Sequence, residues 1–132
     1  MPTRNVPVAD AGPLVADVML RDHRTVPAAT TVAEAREALA NPRERMLLVT
    51  RDGRFAGAVA RDRISDDLDG GLTLDALLDA ETPRVTPEDP SSRALELLDA
   101  DESERLPVVE ADGSLVGLVC FNRRRNVFCV DG

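Results

Sequence analysis

Residues Arg105 to Val119 read Arg-Leu-Pro-Val-Val-Glu-Ala-Asp-Gly-Ser-Leu-Val-Gly-Leu-Val, and the fold is read outward from them. Two apolar runs flank Asp112-Gly113. An Asp-Gly pair supplies the positive φ angles of a two-residue primed turn, so the stretch predicts a β-hairpin. The pattern also stands sixty residues earlier, at Arg45 to Val59: Arg-Met-Leu-Leu-Val-Thr-Arg-Asp-Gly-Arg-Phe-Ala-Gly-Ala-Val. Six of the fifteen paired positions are identical: Arg45/Arg105, Val49/Val109, Asp52/Asp112, Gly53/Gly113, Gly57/Gly117 and Val59/Val119. Identity at a fixed offset marks a tandem repeat.

The segments around each hairpin repeat as well. Before the first, Thr25-Val26-Pro27 reads as extended, because a residue preceding Pro avoids the helical region. Thr31 to Ala40 follows as an amphipathic helix, with Val32, Ala35, Ala38 and Leu39 on one face, a Thr31/Glu34 capping box, and Asn41-Pro42 as its stop. Met46-Leu47-Leu48-Val49 is apolar on both faces and so predicts a central strand. Before the second hairpin, Pro83 to Pro87 is extended and Val85 matches Val26. Asp89 and Pro90 then start a helix that turns Ala94, Leu95, Leu97 and Leu98 inward. Leu14–Leu20 and Leu72–Leu78 are further matched pieces, each one or two helical turns, with Asp17 aligned to Asp75. Arg61 to Leu68 reads as a helix closing the first copy. These pieces divide the chain into a flexible arm (1–13), a first repeat (14–68), an Asp69-Gly70-Gly71 linker (69–71), a second repeat (72–123) and a terminal strand (124–132).

Composition narrows the function classes. The 132 residues are 43% apolar, enough for a globular core. No apolar run approaches the roughly twenty residues of a membrane span, and Met1 to Asp10 has no apolar signal core, so a cytoplasmic location is expected. Net charge is −8, every basic residue is Arg, and residues 61–104 hold fourteen acids against four Arg. With no Trp, no Tyr and three Phe, the chain has neither the basic footprint nor the stacking surface of a nucleic-acid binder. Catalysis finds no motif: His23 is the only His, and no His, Cys and carboxylate spacing suits a metal. Gly53, Gly57, Gly113 and Gly117 read as turn and close-packing glycines, not as a phosphate loop.

The C-terminal stretch departs from the repeat. Val119 to Val130 reads Val-Cys-Phe-Asn-Arg-Arg-Arg-Asn-Val-Phe-Cys-Val, nearly a mirror image about the 124/125 bond. Folded there, it makes a hairpin with Val119 facing Val130, Cys120 facing Cys129 and Phe121 facing Phe128, and Arg123-Arg124-Arg125 in the turn. A closing helix like that of the first repeat is the alternative. In the hairpin, Cys120 and Cys129 form a candidate redox pair. If they occupy a non-hydrogen-bonded position, their Cα atoms lie about 4.5 Å apart, at the short edge of disulfide geometry. Two apolar thiols packed on the core are the other reading.

The ordered set resembles a tandem pair of cystathionine-β-synthase-type (CBS) domains, a Bateman module. Its carriers are Val15-Ala16-Asp17-Val18-Met19, Val26-Pro27, Val85-Thr86-Pro87, the two helices, and hairpins ending in Gly57-Ala58-Val59 and Gly117-Leu118-Val119, over about residues 14–123. The resemblance implies an α/β (α+β) fold of two βαββα repeats about a pseudo-twofold axis, often dimerised into a disc. It implies a non-catalytic regulator acting on a separate protein partner, with no required cofactor and no role for nucleic acid or membrane. Clefts between such repeats commonly hold adenine nucleotides or S-adenosylmethionine. In ligand-binding relatives a Thr or Ser after the second hairpin strand reaches phosphate, and an Asp three residues later accepts ribose hydroxyls. Here those places hold Ala60 and Arg63, and Cys120 and Arg123. Arg accepts no hydrogen bond, though it binds phosphate in bidentate fashion. Carried over by position, the candidate contacts are Val26, Arg63, Val85, Leu106, Pro107 and Arg123. Two functions stay open: a sensor of an adenosyl or other anionic ligand, and a degenerate pair that binds no nucleotide and dimerises as an interaction module.

Overall fold

The computed structural model describes residues 3–21, 23–41, 46–79, 81–100 and 104–131. Its strands are Thr3–Pro7 (β1), Thr25–Pro27 (β2), Met46–Arg51 (β3), Arg54–Ala60 (β4), Arg105–Val109 (β5), Leu115–Asn122 (β6) and Val127–Asp131 (β7). The α-helices are Val32–Ala38 (α1) and Ser91–Ala100 (α2). The chain divides into two compact units, Arg24–Thr82 and Met1–His23 with Pro83–Gly132.

The Arg24–Thr82 unit is a three-stranded sheet ordered β2-β3-β4, with β2 parallel and β4 antiparallel to the central β3. Leu47 and Val49 of β3 enter a core with Ala28, Ala35, Leu39, Val59 and Leu74, while Leu48, on the other face, is buried too. The two-sided apolar pattern of β3 therefore reports its central place. The turn is the expected primed one: Arg51 pairs with Arg54, and Asp52 and Gly53 have φ of 54° and 79°.

Helix α1 accounts for all its N-terminal donors. Thr31 Oγ1 accepts from the Glu34 amide at 3.2 Å, and Glu34 Oε1 accepts from the Thr31 amide at 3.1 Å, the capping box expected from the sequence. The Val32 amide donates to the Leu72 carbonyl (2.8 Å) and the Ala33 amide to that of Gly70 (3.1 Å). The stretch expected as a linker, Asp69-Gly70-Gly71, thus covers the start of α1. Pro42, the expected stop signal, lies outside the described residues, as does Arg45.

A single 3-10 turn, Leu74–Ala76, follows, and the fully buried Leu74 fixes it to the core, a burial that contributes about 2 kcal/mol. Its exit segment crosses β4, where the Asp79 amide donates to the Ala58 carbonyl (3.3 Å). Thr82, a buried polar residue, accepts from the Ala58 amide (3.3 Å) and donates its hydroxyl to the Asp79 carbonyl (2.5 Å).

The other unit repeats this construction with residues from both ends of the chain. Its sheet is ordered β1-β7-β6-β5. The 3-10 turn Val15–Asp17 joins α2 and β5 there: the Ser91 amide donates to the Pro13 carbonyl (2.8 Å) and the Val15 amide to that of Asp89 (2.8 Å). Leu20 and Leu118 exchange backbone hydrogen bonds of 2.8 and 3.0 Å. Ala94 and Leu98 of α2 pack with Val15, Val18, Val85, Leu106, Val108 and Val119. Each compact unit therefore draws its 3-10 turn from the neighbouring sequence repeat, because that turn's carbonyls and amides are what complete the helix start and the hairpin edge.

Four expectations need correction. The stretch expected as a flexible arm contains β1, whose Thr3 to Pro7 pair antiparallel with Asp131 to Val127, and Val6 packs on the core. An unpaired β7 edge is a standing template for a strand, and β1 fills it. Arg61 to Leu68 is no α-helix: a 3-10 turn, Arg61–Arg63, ends at Ile64, whose ψ of 76° leaves the helical region. The Ser65 and Leu68 carbonyls turn instead to Arg36 Nη2, each at 2.8 Å. The second Asp-Gly is not a two-residue primed turn. Glu110 donates to the Ser114 carbonyl (2.9 Å), Gly113 donates to that of Glu110 (2.9 Å), and only Gly113 has positive φ (94°), a three-residue loop. Lastly, the Asp89 carboxylate accepts the Thr86 amide at 2.9 Å and so braces the turn before α2.

The terminal hairpin has the register of the palindrome: Cys120 opposite Cys129 and Phe121 opposite Phe128. The two rings sit 5.3 Å apart at 54°, a tilted aromatic contact.

A Cβ on Gly57 (φ +150°) would lie 2.9 Å from the Asp79 carbonyl oxygen. One on Gly117 would meet Met19 Sδ at 2.7 Å and the Leu20 oxygen at 3.0 Å, whereas at Gly53 there is open space. Gly57→Ala is expected to cost about 2–4 kcal/mol, since overpacking adds to a disfavoured φ. Gly117→Ala costs less, about 1–3 kcal/mol, because the Met19 thioether yields. Urea denaturation checks the order; equal losses at the two sites would contradict the crossing geometry.

Candidate functional site

Among the described residues, clefts lined by polar side chains occur within each compact unit. One, about 480 Å³, lies between α2 and the β6–β7 turn and is lined by Leu95, Glu96, Asp99, Phe121, Arg123 and Asn126. Asn126, at φ 56°, closes the turn, and the Arg125 amide donates to Asn122 Oδ1 (3.1 Å). Arg123 is pinned by its surroundings. Its Nη1 donates to the Leu98 carbonyl (2.9 Å), its Nη2 to Asp99 Oδ1 (3.1 Å), and its backbone amide to Glu104 Oε2 (3.1 Å). A guanidinium at a helix C-terminus satisfies an otherwise open carbonyl and suits the helix dipole. One cation against the Glu96 and Asp99 carboxylates leaves this cleft acidic, a poor seat for phosphate.

The second cleft, about 330 Å³, is lined by Arg24, Val26, Thr30, Glu34, Glu37 and Ala38. Val26 stands on β2 opposite Val49, half-buried. Glu34 is exposed, yet the Thr31 amide and hydroxyl hold its carboxyl below the ordinary carboxylate range. The third, about 210 Å³, is lined by Arg36, Leu39, Arg61, Ile64 and Asp66. Arg61 Nη2 donates to the Leu39 and Asn41 carbonyls, each at 2.6 Å. Arg36 and Arg61 thus brace the end of α1 and the turn after β4.

The positions carried over by resemblance fare differently. Val26 borders a cleft, and Arg63 is exposed on the turn after β4. Val85 and Leu106 are core residues and Pro107 is fully buried. The Val85 amide donates to the Pro107 carbonyl (3.1 Å) and the Val85 carbonyl accepts from Val109 (2.8 Å). Those backbone groups hold the edge of β5. Arg123 lies at the opposite end of β5 from Val85, beside Glu104. Sequence reasoning passed over Arg36, Arg61, Glu96 and Asp99. Nothing in their spacing says that two arginines reach carbonyls some twenty to thirty residues away.

Cys120 and Cys129 are both free thiols, the first buried and the second half-buried. They are hydrogen-bonded to each other and titrate as one pair. The Cys120 thiol, donating, stabilises a thiolate on Cys129 and pulls its pKa down to about 6; burial opposes this and the Arg105 guanidinium assists it. Cys120 is correspondingly raised by the same hydrogen bond and by burial. Among the described residues no three His, Cys, Asp or Glu side chains converge on a metal position.

The family model described as CBS domain matches residues 15–70 and again 76–122. Solved structures with the same fold include CBSX2 in complex with AMP, at 26% identity and a TM-score of 0.73, covering 87% of this chain and 93% of that one. A CBS domain pair/ACT domain protein from Thermotoga maritima is also 26% identical, with a TM-score of 0.72, over 81% of this chain and 88% of that one. The cytosolic domain of the Mg2+ channel MgtE in complex with ATP has a TM-score of 0.74 at 21% identity, a likeness of fold. The match covers 82% of this chain and 46% of that one, so the chain spans about half its length. Among curated proteins none matches the chain in sequence.

Alkylation reads the thiol pair directly. Iodoacetamide labelling of the native protein is expected to rise through about pH 6, with the first label on Cys129, because the thiolate is the nucleophile. A lowered folded pKa stabilises the fold above the unfolded thiol's pKa, and that contribution is lost as pH falls through 6. Labelling that begins only near the ordinary thiol pKa of about 8.5, or begins on Cys120, contradicts the arrangement.

Proposed function

The chain belongs to the CBS domain family, and from that premise we propose that it is a non-catalytic regulatory module that senses an adenine nucleotide or a related adenosyl ligand. The supporting observation is a relative of the same fold, matched over nearly its whole length, in complex with AMP. Ligand binding acts on a protein partner through differential affinity for two states of the module. It requires no cofactor beyond the sensed ligand, and the module works as a homodimer in the cytoplasm. Of the positions carried over by resemblance, Val26, which borders a cleft, and the exposed Arg63 are the side chains free to meet a ligand, whereas Val85, Leu106 and Pro107 are buried and Arg123 is engaged at the end of α2.

Specific observations favour a second reading. Ala60 and Cys120 stand where the family resemblance implies a hydroxyl, and the Arg123 guanidinium is engaged by Leu98 and Asp99. In that reading the pair binds no nucleotide and serves as a dimerising interaction module.

A thermal-shift panel of AMP, ADP, ATP and S-adenosylmethionine at millimolar concentration separates the two. A ligand present at 100 times its Kd stabilises the fold by about 2.7 kcal/mol. For a chain of this size that is a rise of roughly 5–15 °C in Tm. Arg63→Ala, at an exposed position, should shrink the rise without changing the Tm of the unliganded protein. No rise with any of the four removes the sensor reading for those ligands. Light scattering tests the dimer in either case, and a monomer at all concentrations overturns the interaction-module reading.

A further inference from the structure

The sheet register places four side chains in one row across β5, β6, β7 and β1: Arg105, Cys120, Cys129 and Asn5. This row is on the face opposite Phe121, Phe128 and Val130, which point into the core. The kind of pairing follows from backbone bonds on the two sides. The Phe121 amide donates to the Glu104 carbonyl (2.9 Å), so Arg105 and Cys120 are a non-hydrogen-bonded pair. The backbone amide and carbonyl of Cys120 therefore face β7. The Val8 amide donates to the Asn126 carbonyl (3.2 Å), which makes Pro7 and Val127 non-hydrogen-bonded and, by alternation, Asn5 and Cys129 likewise. Both sides agree that Cys120 and Cys129 are a hydrogen-bonded pair, with Cα atoms about 5.5 Å apart rather than 4.5 Å.

That distinction changes the chemistry of the pair. A Cα separation of about 5.5 Å is ordinary for a disulfide, but Cβ atoms in hydrogen-bonded pairs sit toward the wide end of the 4.5–5.5 Å range, and a disulfide needs them about 3.5–4.5 Å apart. Closing the gap would pull on a ladder that holds β7, and through it β1. A bridge through a metal ion is longer by one atom, with two sulfur–metal bonds of about 2.3 Å. Thiolates select soft ions, and two ligands without a third or fourth do not satisfy tetrahedral zinc.

We propose that Cys120 and Cys129 form a two-thiolate site for a soft monovalent cation of the copper(I) type. On binding, two metal–sulfur bonds form; the Cys129 sulfur is already a thiolate at neutral pH, so one S–H bond, that of Cys120, breaks and one proton passes to solvent. The resulting complex carries one negative charge, next to the Arg105 guanidinium across the β5–β6 ladder. Half-exposed Cys129 receives the ion first, and buried Cys120 completes the bite.

The test titrates the reduced chain, without oxygen, with copper(I) held by a chromophoric chelator. One copper per chain should be withdrawn from the chelator. Loss of second-shell support alone costs about 10–100-fold in metal affinity, so Cys129→Ser and Cys120→Ser should each lower it by more. X-ray absorption of the wild-type complex should show sulfur neighbours only, which keeps the test valid if Cys120→Ser fails to fold. No copper withdrawn, equal affinity in Cys129→Ser, or nitrogen or oxygen neighbours would overturn the proposal. So would quantitative loss of two mass units with peroxide in a protein that withdraws no copper, for the pair is then a disulfide couple.

Discussion

The structure depends on two places where backbone crosses backbone without a side chain between. At Gly57 the exit of one 3-10 turn lies against β4, and at Gly117 the exit of the other lies against β6. A residue lacking Cβ lets the Asp79 carbonyl approach β4, and lets Leu20 exchange hydrogen bonds with Leu118 without displacing Met19. Once the crossing is made, the rest follows within each unit. The segment ahead of the turn reaches the start of the helix and satisfies its first amides, through Leu72 and Gly70 at α1 and Pro13 at α2. The turn's apolar residue, Leu74 or Val15, then fills the space between helix and sheet. The remote pairing has a kinetic side: Leu20 meets Leu118 only after a long loop closes, which makes this unit's assembly a high-contact-order event.

Much of this was legible in the residues. Period and capping signals placed α1 with its Thr31/Glu34 box, and the two-sided apolar run placed β3 at the centre of its sheet. The repeat identified Gly57 and Gly117 as close-packing positions, and the palindrome fixed the register of β6 on β7. What was not legible depends on partners distant in the chain. Nothing local in Thr3 to Pro7 says that an open strand edge awaits it near the other end. The segment after Arg63 has helical-looking spacing, but Arg36 competes for its carbonyls from 29 and 32 residues away. Two Asp-Gly pairs at equivalent positions gave different turns, because the residues closing them pair differently: Arg51 with Arg54, but Glu110 with Ser114.

The site positions were less legible than the fold, for a related reason. Position in a repeat says where the backbone goes, not what a side chain meets. Arg123 was expected at a ligand position from the resemblance, yet its guanidinium completes the end of α2. Val85 and Pro107 were expected at another, yet the Val85 amide donates to the Pro107 carbonyl along the edge of β5. A side chain so engaged takes up a ligand only by giving up a partner, and that exchange limits affinity.

Thr3 opposite Asp131 brings the first and last described strand residues side by side at one sheet margin. Covalent neighbours attached before Thr3 and after Asp131 would leave from adjacent points. The module is thereby suited to being spliced into a surface loop of a host protein, or reclosed head to tail and reopened at a hairpin tip such as Asp52-Gly53, with little distortion. A pull on either strand would be carried through the β1–β7 ladder to β6, so mechanical load on the ends and occupancy of the thiol row act on the same hydrogen-bonded seam.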